Sequence, residues 1–185
     1  MSNLAIKQAI YQDIVDLRHN VVGEIIDGQL EIQPRPTPKD AVVSSSLGAQ
    51  LISPFQKGKG DPGGWWIIDE PECYLSVHIL VADLAGWRKQ RMPVFPETDW
   101  FDGVPDWVCE ILSPSNARLD RIVKTLLYAQ LGVVNLWLID SNLQTLEAFQ
   151  LHDSHWLLIG YFANDQAVSI VPFAEHTFLL SDLWG

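Results

Sequence analysis

Residues 104–128 restrict the fold of this 185-residue chain more than any other stretch. A strand, a turn and a helix are predicted by their sequence, V-P-D-W-V-C-E-I-L-S-P-S-N-A-R-L-D-R-I-V-K-T-L-L-Y. In the strand, alternation puts Trp107, Cys109 and Ile111 on one face and Glu110 on the other, between apolar neighbours. A carboxylate in a buried strand is costly unless it has a partner, so this departure from good core design indicates a functional site.

The helix is predicted to follow a turn of Ser, Pro, Ser and Asn, which offers Ser or Asn as an N-cap. Lys124 lies just beside the apolar arc of this helix, so it can lean back towards Glu110. Gly132 then ends the helix, and the run V-V-N-L-W-L-I-D predicts a strand buried on both faces and parallel to the first. Helical spacing puts on the core-facing arc Leu119, Ile122, Val123, Leu126, Leu127 and Leu131.

The flanking segments complete an α/β pattern. A short helix over residues 6–17, a hairpin turn at Asp27-Gly28 and a helix from Asp40 to about residue 55 are expected before the central unit. Two or three strands follow between residues 65 and 85, with Asp83 on the same face as Val81, and then a basic turn region over residues 86–96. Three alternating segments near the C-terminus predict an antiparallel meander. We therefore expect one domain over residues 1–185, with a mixed central sheet flanked by helices.

Charge and cysteine content narrow the classes of protein. A net charge of −11 argues against a generic nucleic-acid-binding protein, because affinity for phosphate comes from basic groups. All twelve Lys and Arg residues nevertheless precede residue 125. The sequence shows no signal-like segment or membrane-length apolar run, so a soluble, cytoplasmic protein is expected. Cys73 and Cys109 are too few and too isolated for a zinc cluster and are expected to be reduced.

Asp83 and Glu110 are the strongest candidate site residues. They lie near strand ends 27 residues apart, so adjacent strands could bring them to one point. Each would be costly to bury unpaired, and a divalent cation would resolve both costs. Hard oxygen ligands favour Mg²⁺ or Mn²⁺, which in phosphodiester hydrolysis would activate a water while a nearby lysine adds positive charge.

The residues alone also allow a purely structural interpretation. Asp83 and Glu110 could be strand-end acids that accept hydrogen bonds from backbone N–H groups or Trp side chains. Lys124 could cover apolar surface with its stem while its amine reaches water. Glu24, which lies beside the predicted hairpin, could be an exposed charge on an edge strand.

Three segments carry a family resemblance: E-I-I-D-G-Q-L, V-A-D-L-A-G-W and the stretch over residues 105–140. They resemble the Uma-two family of restriction endonucleases, a branch of the PD-(D/E)XK nuclease superfamily. The resemblance implies a restriction-endonuclease-like fold and a catalytic set of Glu24, Asp83, Glu110 and Lys124, in which Asp83 and Glu110 bind Mg²⁺ or Mn²⁺. The implied function is a DNA endonuclease that hydrolyses phosphodiester bonds with a metal-activated water.

This chain departs from the family pattern at three positions. The superfamily motif E-x-K would put lysine at position 112, where this chain has Leu112. Lys124, on the helix that follows, is the candidate to supply the positive charge of that lysine from a different position. Ala82 stands where a proline is expected before Asp83. Asp40 stands where family members often carry histidine, so any role of that histidine is absent or altered.

DNA is the expected partner, and a homodimer is expected because cutting two antiparallel strands needs two sites or two events. The basic residues that flank the acids are predicted to contact the DNA backbone: Arg88, Lys89, Arg91, Arg118 and Arg121. Two other functions stay open. One is a catalytically idle nuclease fold that serves as a protein-interaction module, and the other is a metal phosphodiesterase that acts on RNA or small substrates.

Overall fold

The structure is a computed structural model that describes residues 8–60, 63–114 and 116–185. Its helical segments are α1 (Tyr11–Val15), α2 (Pro38–Leu51), a π-helical turn (Ile52–Gln56), a second π-helical turn (Leu119–Lys124), α3 (Thr125–Leu131) and a 3-10 turn (Leu180–Leu183). Its strands are β1 (Val21–Ile26), β2 (Gln29–Pro34), β3 (Trp65–Asp69), β4 (Glu72–Leu75), β5 (His78–Val81), β6 (Leu84–Arg88), β7 (Trp107–Leu112), β8 (Asn135–Asp140), β9 (Thr145–His152), β10 (His155–Ala163), β11 (Ala167–Val168) and β12 (Phe178–Leu179).

A six-stranded sheet in the order β10-β9-β8-β7-β6-β3 forms the centre of the fold. It is mixed, because β7 and β8 run parallel while the other neighbouring strands are antiparallel. The second π-helical turn and α3 connect β7 to β8, so the predicted strand, helix and strand unit is present. Gly132 ends α3 in a left-handed conformation (φ 85°), as a C-terminal glycine commonly does.

A smaller sheet in the order β2-β1-β5-β4 lies beside the central one. Its β1–β2 hairpin turns at Asp27 and Gly28, which both adopt positive φ as a two-residue hairpin requires. The chain leaves this sheet at the end of β5 and enters the central sheet at β6. Asp83 therefore lies at the junction between the two sheets. The prediction that Asp83 continues the strand of Val81 is wrong, because the strand ends where the chain changes sheets.

The two faces of β7 pack in different cores. Trp107, Cys109 and Ile111 belong to the core that contains α2, while Val108 and Leu112 belong to the core that contains α3. The alternation predicted for β7 is thus confirmed. Cys73 and Cys109 are buried free thiols.

Three predicted elements differ from those observed. The first helix covers Tyr11–Val15, and residue 6, where it was expected to begin, lies outside the described residues. Strand β6 continues through Arg88, so the first part of the expected turn region is paired with β3. The third C-terminal segment does not extend the meander of β9 and β10. Its two-residue strand β11 pairs with β12 instead.

Within the described residues, no helix combines the length and the hydropathy that crossing a lipid bilayer requires.

Candidate active site

A cleft of about 500 Å³, including the open solvent at its entrance, lies where the two sheets meet the second π-helical turn. The lining of this cleft includes Asp83 from the sheet junction, Glu110 from β7, and Asp120 and Lys124 from the π-helical turn. Glu24 lies behind Lys124 and is fully buried. The structure thus brings the four sequence-predicted site residues together, and it adds Asp120 to them.

The Lys124 ammonium is the centre of this cluster. Its Nζ atom lies 2.8 Å from Oε1 of Glu110, 3.0 Å from Oε1 of Glu24 and 3.5 Å from Oδ1 of Asp120. It also donates to the backbone carbonyl of Val81 at 2.9 Å. Lys124 is 1% exposed, so it is not a lysine that reaches bulk water along the helix flank.

The helix that carries Lys124 turns only part of its predicted arc to the core: Leu127 is buried, and Leu119, Val123 and Leu131 are partly buried against that core. Ile122 and Leu126, which were assigned to the buried arc, are 55% and 61% exposed. Asp120, Lys124 and Tyr128 are buried instead. The predicted arc uses the period of an α-helix, but Leu119–Lys124 is π-helical. This wider turn changes the direction of the side chains that follow it.

Backbone N–H groups of the neighbouring strands contact the carboxylates of Glu110 and Asp83. Oδ2 of Asp83 accepts the Ile111 N–H at 2.6 Å, and the Asp83 N–H points to Oε2 of Glu110 at 3.4 Å. Tyr128 donates its hydroxyl to Oε1 of Glu110 at 2.6 Å. These contacts fix both carboxylates at the junction of β5, β6 and β7.

Glu24 is held just as firmly from the smaller sheet. Its Oε1 accepts the Val81 N–H at 2.8 Å, and its Oε2 accepts from Nε2 of Gln33 at 2.9 Å. The residue is fully buried, so Glu24 is not an exposed edge charge. It fixes one side of the Lys124 ammonium to β1.

Burial raises the pKa of three acids in the cleft. Desolvation, and then the charge of Glu110, raise the pKa of Asp83 to about 8. Desolvation raises the pKa of Asp120 to about 8 against the opposing effect of Lys124. It also raises the pKa of Glu110. For Lys124, burial alone would lower the pKa, but the charges of Glu110 and Glu24 outweigh it and raise the pKa well above its ordinary value. The amine therefore stays protonated.

The donor set of the cleft fits a divalent cation such as Mg²⁺ or Mn²⁺. No group of three or more His, Cys, Asp or Glu among the described residues is arranged to hold a metal, but Mg²⁺ commonly takes only one or two carboxylates and keeps waters. Three carboxyl groups, those of Glu24, Glu110 and Asp120, lie within 3.5 Å of one ammonium, and Asp83 lines the same cleft, so the acids outnumber the cation. Oδ2 of Asp120 is buried and has no hydrogen-bond partner among the described residues. Additional positive charge would compensate both features.

Two of the three departures from the family pattern, Leu112 and Asp40, have structural explanations. Leu112 is 2% exposed and packs in the core that contains α3, so position 112 is a core position in this protein. Lys124 reaches Glu110 from the helix on that same side of β7. Asp40 lines the cleft, but its carboxylate accepts from the backbone N–H and the hydroxyl of Thr37 and from the hydroxyl of Ser141, so it caps α2.

The predicted DNA-contacting basic residues do not line this cleft. Arg88 and Lys89 lie over indole rings, 4.5 and 4.4 Å from the ring centroids. Arg91 and Arg121 are each paired with a carboxylate, at 2.6 and 2.7 Å. Their contact with a DNA backbone stays a prediction. Among the described residues, the lysine and arginine that line the cleft are Lys124 and Arg35.

Tyr128 and Asp120 were not predicted as site residues. Their spacing from Lys124 offers the signal, because D-x-x-x-K-x-x-x-Y puts three polar groups at intervals of four residues on one helix. A polar stripe of this kind on a helix that must cover a sheet indicates a buried network.

Replacing Tyr128 with Phe should lower the free energy of unfolding by about 1.5–3 kcal/mol, because it removes a hydroxyl that donates to a buried carboxylate. Urea unfolding at pH 7 measures the change. Tyr161→Phe is the matched control, since Tyr161 is 55% exposed, and it should change stability by less than about 0.5 kcal/mol. Equal effects of the two substitutions would contradict the role assigned to the Tyr128 hydroxyl.

Known proteins resemble this chain in sequence and in fold. The model of the Uma2 (Uma-two) family, described as "Putative restriction endonuclease", matches residues 11–181. The fold is similar to that in a crystal structure of "a putative nuclease belonging to DUF820" from Anabaena variabilis, with a TM-score of 0.70 and 25% sequence identity. That match covers 88% of this chain and 89% of the other. Among curated proteins, none matches the chain. The predicted α/β fold with a mixed central sheet is confirmed.

Proposed function

The chain belongs to the Uma2 family of restriction-endonuclease-like proteins, and we propose that it is a metal-dependent DNA endonuclease. The observation that supports this proposal is the buried Lys124 ammonium between Glu24 and Glu110, in a cleft that Asp83 also lines. A permanently protonated amine beside an excess of carboxylates is suited to hydrolysis of a phosphodiester, whose reaction builds negative charge on phosphate.

Asp83 and Glu110 are the proposed ligands of Mg²⁺ or Mn²⁺. When bound, such an ion would supply a water of lowered pKa and positive charge beside the phosphate. The protein's own part is to hold the two carboxylates in place. The Ile111 N–H holds Asp83, and the Tyr128 hydroxyl holds Glu110.

Lys124 is the proposed electrostatic group that contacts the substrate. Its ammonium would stabilise the attacking oxygen and the charge that builds on phosphate. Glu24 positions the amine, and the Val81 carbonyl aligns it from the end of β5. The ammonium has three N–H donors, and Glu24, Glu110 and the Val81 carbonyl accept from them. A phosphate oxygen can therefore contact Lys124 only by replacing one of these three acceptors.

Replacing Asp83 with Asn should weaken Mn²⁺ binding and abolish DNA nicking together, because the substitution removes the charge of one proposed ligand and keeps the shape of the side chain. Calorimetry with Mn²⁺ and nicking of a supercoiled plasmid with Mg²⁺ or Mn²⁺ measure the two effects. Asp69→Asn is the matched control: Asp69 is exposed, lies in the neighbouring strand β3 and does not line the cleft. The control should bind Mn²⁺ and nick as the wild type does. Nicking at the wild-type rate by Asp83→Asn would contradict the assignment.

A catalytically idle fold that binds another protein is the second candidate. The observation that favours it is that Glu24, Glu110 and Lys124 already satisfy one another, as the groups of a structural ion cluster do. A wild-type protein that neither binds Mn²⁺ nor nicks DNA would make this the better account.

We also propose that the substrate is DNA, in place of RNA or a small phosphodiester, and that the protein forms a homodimer.

A further inference from the structure

Arg35 lines both the candidate active-site cleft and a second cleft of about 690 Å³. The two clefts share four lining residues, namely Val22, Arg35, Glu70 and Val81. The second cleft also contains Arg18 and His19. Arg35 therefore lies between the proposed reaction centre and a second cleft that Arg18 and His19 line together with Glu72, in a protein whose net charge is −11.

The backbone at Arg35 is restricted by its neighbours in the sequence. Arg35 follows directly after β2 and stands between Pro34 and Pro36. Proline fixes its own φ and limits the conformation of the residue before it, so the chain on both sides of Arg35 has little freedom. An arginine on such a segment loses less conformational entropy when it binds a ligand.

Glu70 holds the Arg35 side chain across the mouth of the cleft. The two groups form an ion pair of 2.8 Å, and their side chains are 50% and 36% exposed. Ion pairs this exposed contribute little to stability, so the partner of Arg35 can be exchanged at small cost.

The fold fixes the position of Glu70. Its backbone adopts a left-handed conformation (φ 43°) directly before a proline, and its N–H donates to the carbonyl of Asp83 at 3.1 Å. Non-glycine residues keep such a conformation only where the surroundings enforce it, and these residues cluster at functional sites. Glu70 is thus attached through the backbone to a proposed metal ligand.

We propose that Arg35 is a phosphate-binding residue that exchanges Glu70 for a backbone phosphate of a polynucleotide lying across both clefts. The inference rests on the proposed nuclease function, and it specifies the substrate as a polymer that extends beyond the scissile bond. The planar guanidinium can bind phosphate oxygens in pairs, which suits it to this exchange. Glu70 is then a carboxylate that competes with the substrate for Arg35.

The test is a double-mutant cycle on DNA affinity. Fluorescence anisotropy with a short fluorescein-labelled DNA duplex in EDTA measures binding without cleavage or metal. Arg35→Ala should weaken binding about tenfold and make the slope of log affinity against log salt shallower by about 0.9. Glu70→Gln should tighten binding by about two- to fivefold, because it releases Arg35.

The double variant separates release of Arg35 from a general effect of charge. Arg35→Ala/Glu70→Gln should bind no more tightly than Arg35→Ala, since no arginine remains to be released. Asp69→Asn removes an equal charge from the residue next to Glu70 and should change affinity much less. Equal tightening by Glu70→Gln with and without Arg35 would overturn the proposal, as would a wild type that does not bind the duplex. A wild type that binds with the expected pattern but nicks no plasmid would support Arg35 and contradict the nuclease function.

Discussion

Lys124→Met should lower the free energy of unfolding by about 3–5 kcal/mol, because it leaves the buried carboxylates of Glu24 and Glu110 without their cation. Glu110, Glu24 and Asp120 all lie within 3.5 Å of the ammonium. Methionine preserves much of the packing of the lysine stem, so the loss is mainly electrostatic. Urea unfolding at pH 7 measures it. Lys39→Met is the control, since Lys39 is exposed and bonds only Asn142 among the described residues, and it should cost less than about 0.5 kcal/mol.

A second substitution distinguishes lost charge balance from lost packing. Glu110→Gln in the Lys124→Met background removes one of the carboxylates that the lysine neutralised. It should therefore recover part of the lost stability, although Glu110→Gln alone should destabilise the protein. A double variant that is as unstable as the sum of the two single variants would contradict the ion-pair account.

The same Lys124→Met variant should lower the rate of DNA nicking by a factor on the order of 10²–10³, the usual loss for one preorganised electrostatic group. The rate must be compared under conditions in which circular dichroism shows that the variant is folded. The stabilised double variant should not regain activity, because it lacks both the amine and a proposed metal ligand. Nicking at the wild-type rate by folded Lys124→Met would show that the lysine is structural only.

The central part of the fold could be predicted because its signals are local. Alternation assigned the faces of β7, Gly132 marked the end of α3, and Asp27-Gly28 specified the hairpin between β1 and β2. These features depend on a few neighbouring residues each. The place where the chain changes sheets at Asp83 has no comparable local signal, because the alternation of β5 continues through it in the sequence.

The candidate site could be predicted only as a set of residues: Lys124 is indicated by its place beside the apolar arc of its helix, whereas only the family resemblance supplies Glu24. Their contact joins residues 100 positions apart, and no periodicity indicates that Glu24 is buried. The signal for Asp120 is its spacing of four residues from Lys124, which puts both side chains on one face of the helix. Arg35 was missed because its role depends on where the loop after β2 lies in space.

Asp120 differs from the other acids of the cleft in having little that compensates its burial. It is 1% exposed, its Oδ1 lies 3.5 Å from the Lys124 amine, and its Oδ2 has no hydrogen-bond partner among the described residues. Lys124 is meanwhile held more closely by Glu110 and Glu24. The ionised form of Asp120 therefore costs the native state more free energy than its pairing with Lys124 contributes.

Asp120→Asn should consequently stabilise the protein, by an amount that grows with pH. Desolvation raises the pKa of Asp120 to about 8 in the folded protein from an ordinary value of 3.8. The native state then binds the proton more tightly than the unfolded state does, so the free energy of unfolding of the wild type falls as the pH rises from about 4 to about 8. Asparagine cannot ionise and escapes this loss.

The stability advantage of Asp120→Asn should be near zero at pH 4, widen by up to about 1.4 kcal/mol per pH unit, and reach on the order of 2 kcal/mol or more at pH 8. Urea unfolding of the metal-free protein across this range measures it. Asp69→Asn removes an equal charge from an exposed position, so it corrects for the general effect of net charge and should show only a shallow dependence. An Asp120→Asn variant that is less stable than the wild type at pH 8 would show that the carboxylate is compensated in the native state, and that its pairing with Lys124 outweighs its burial.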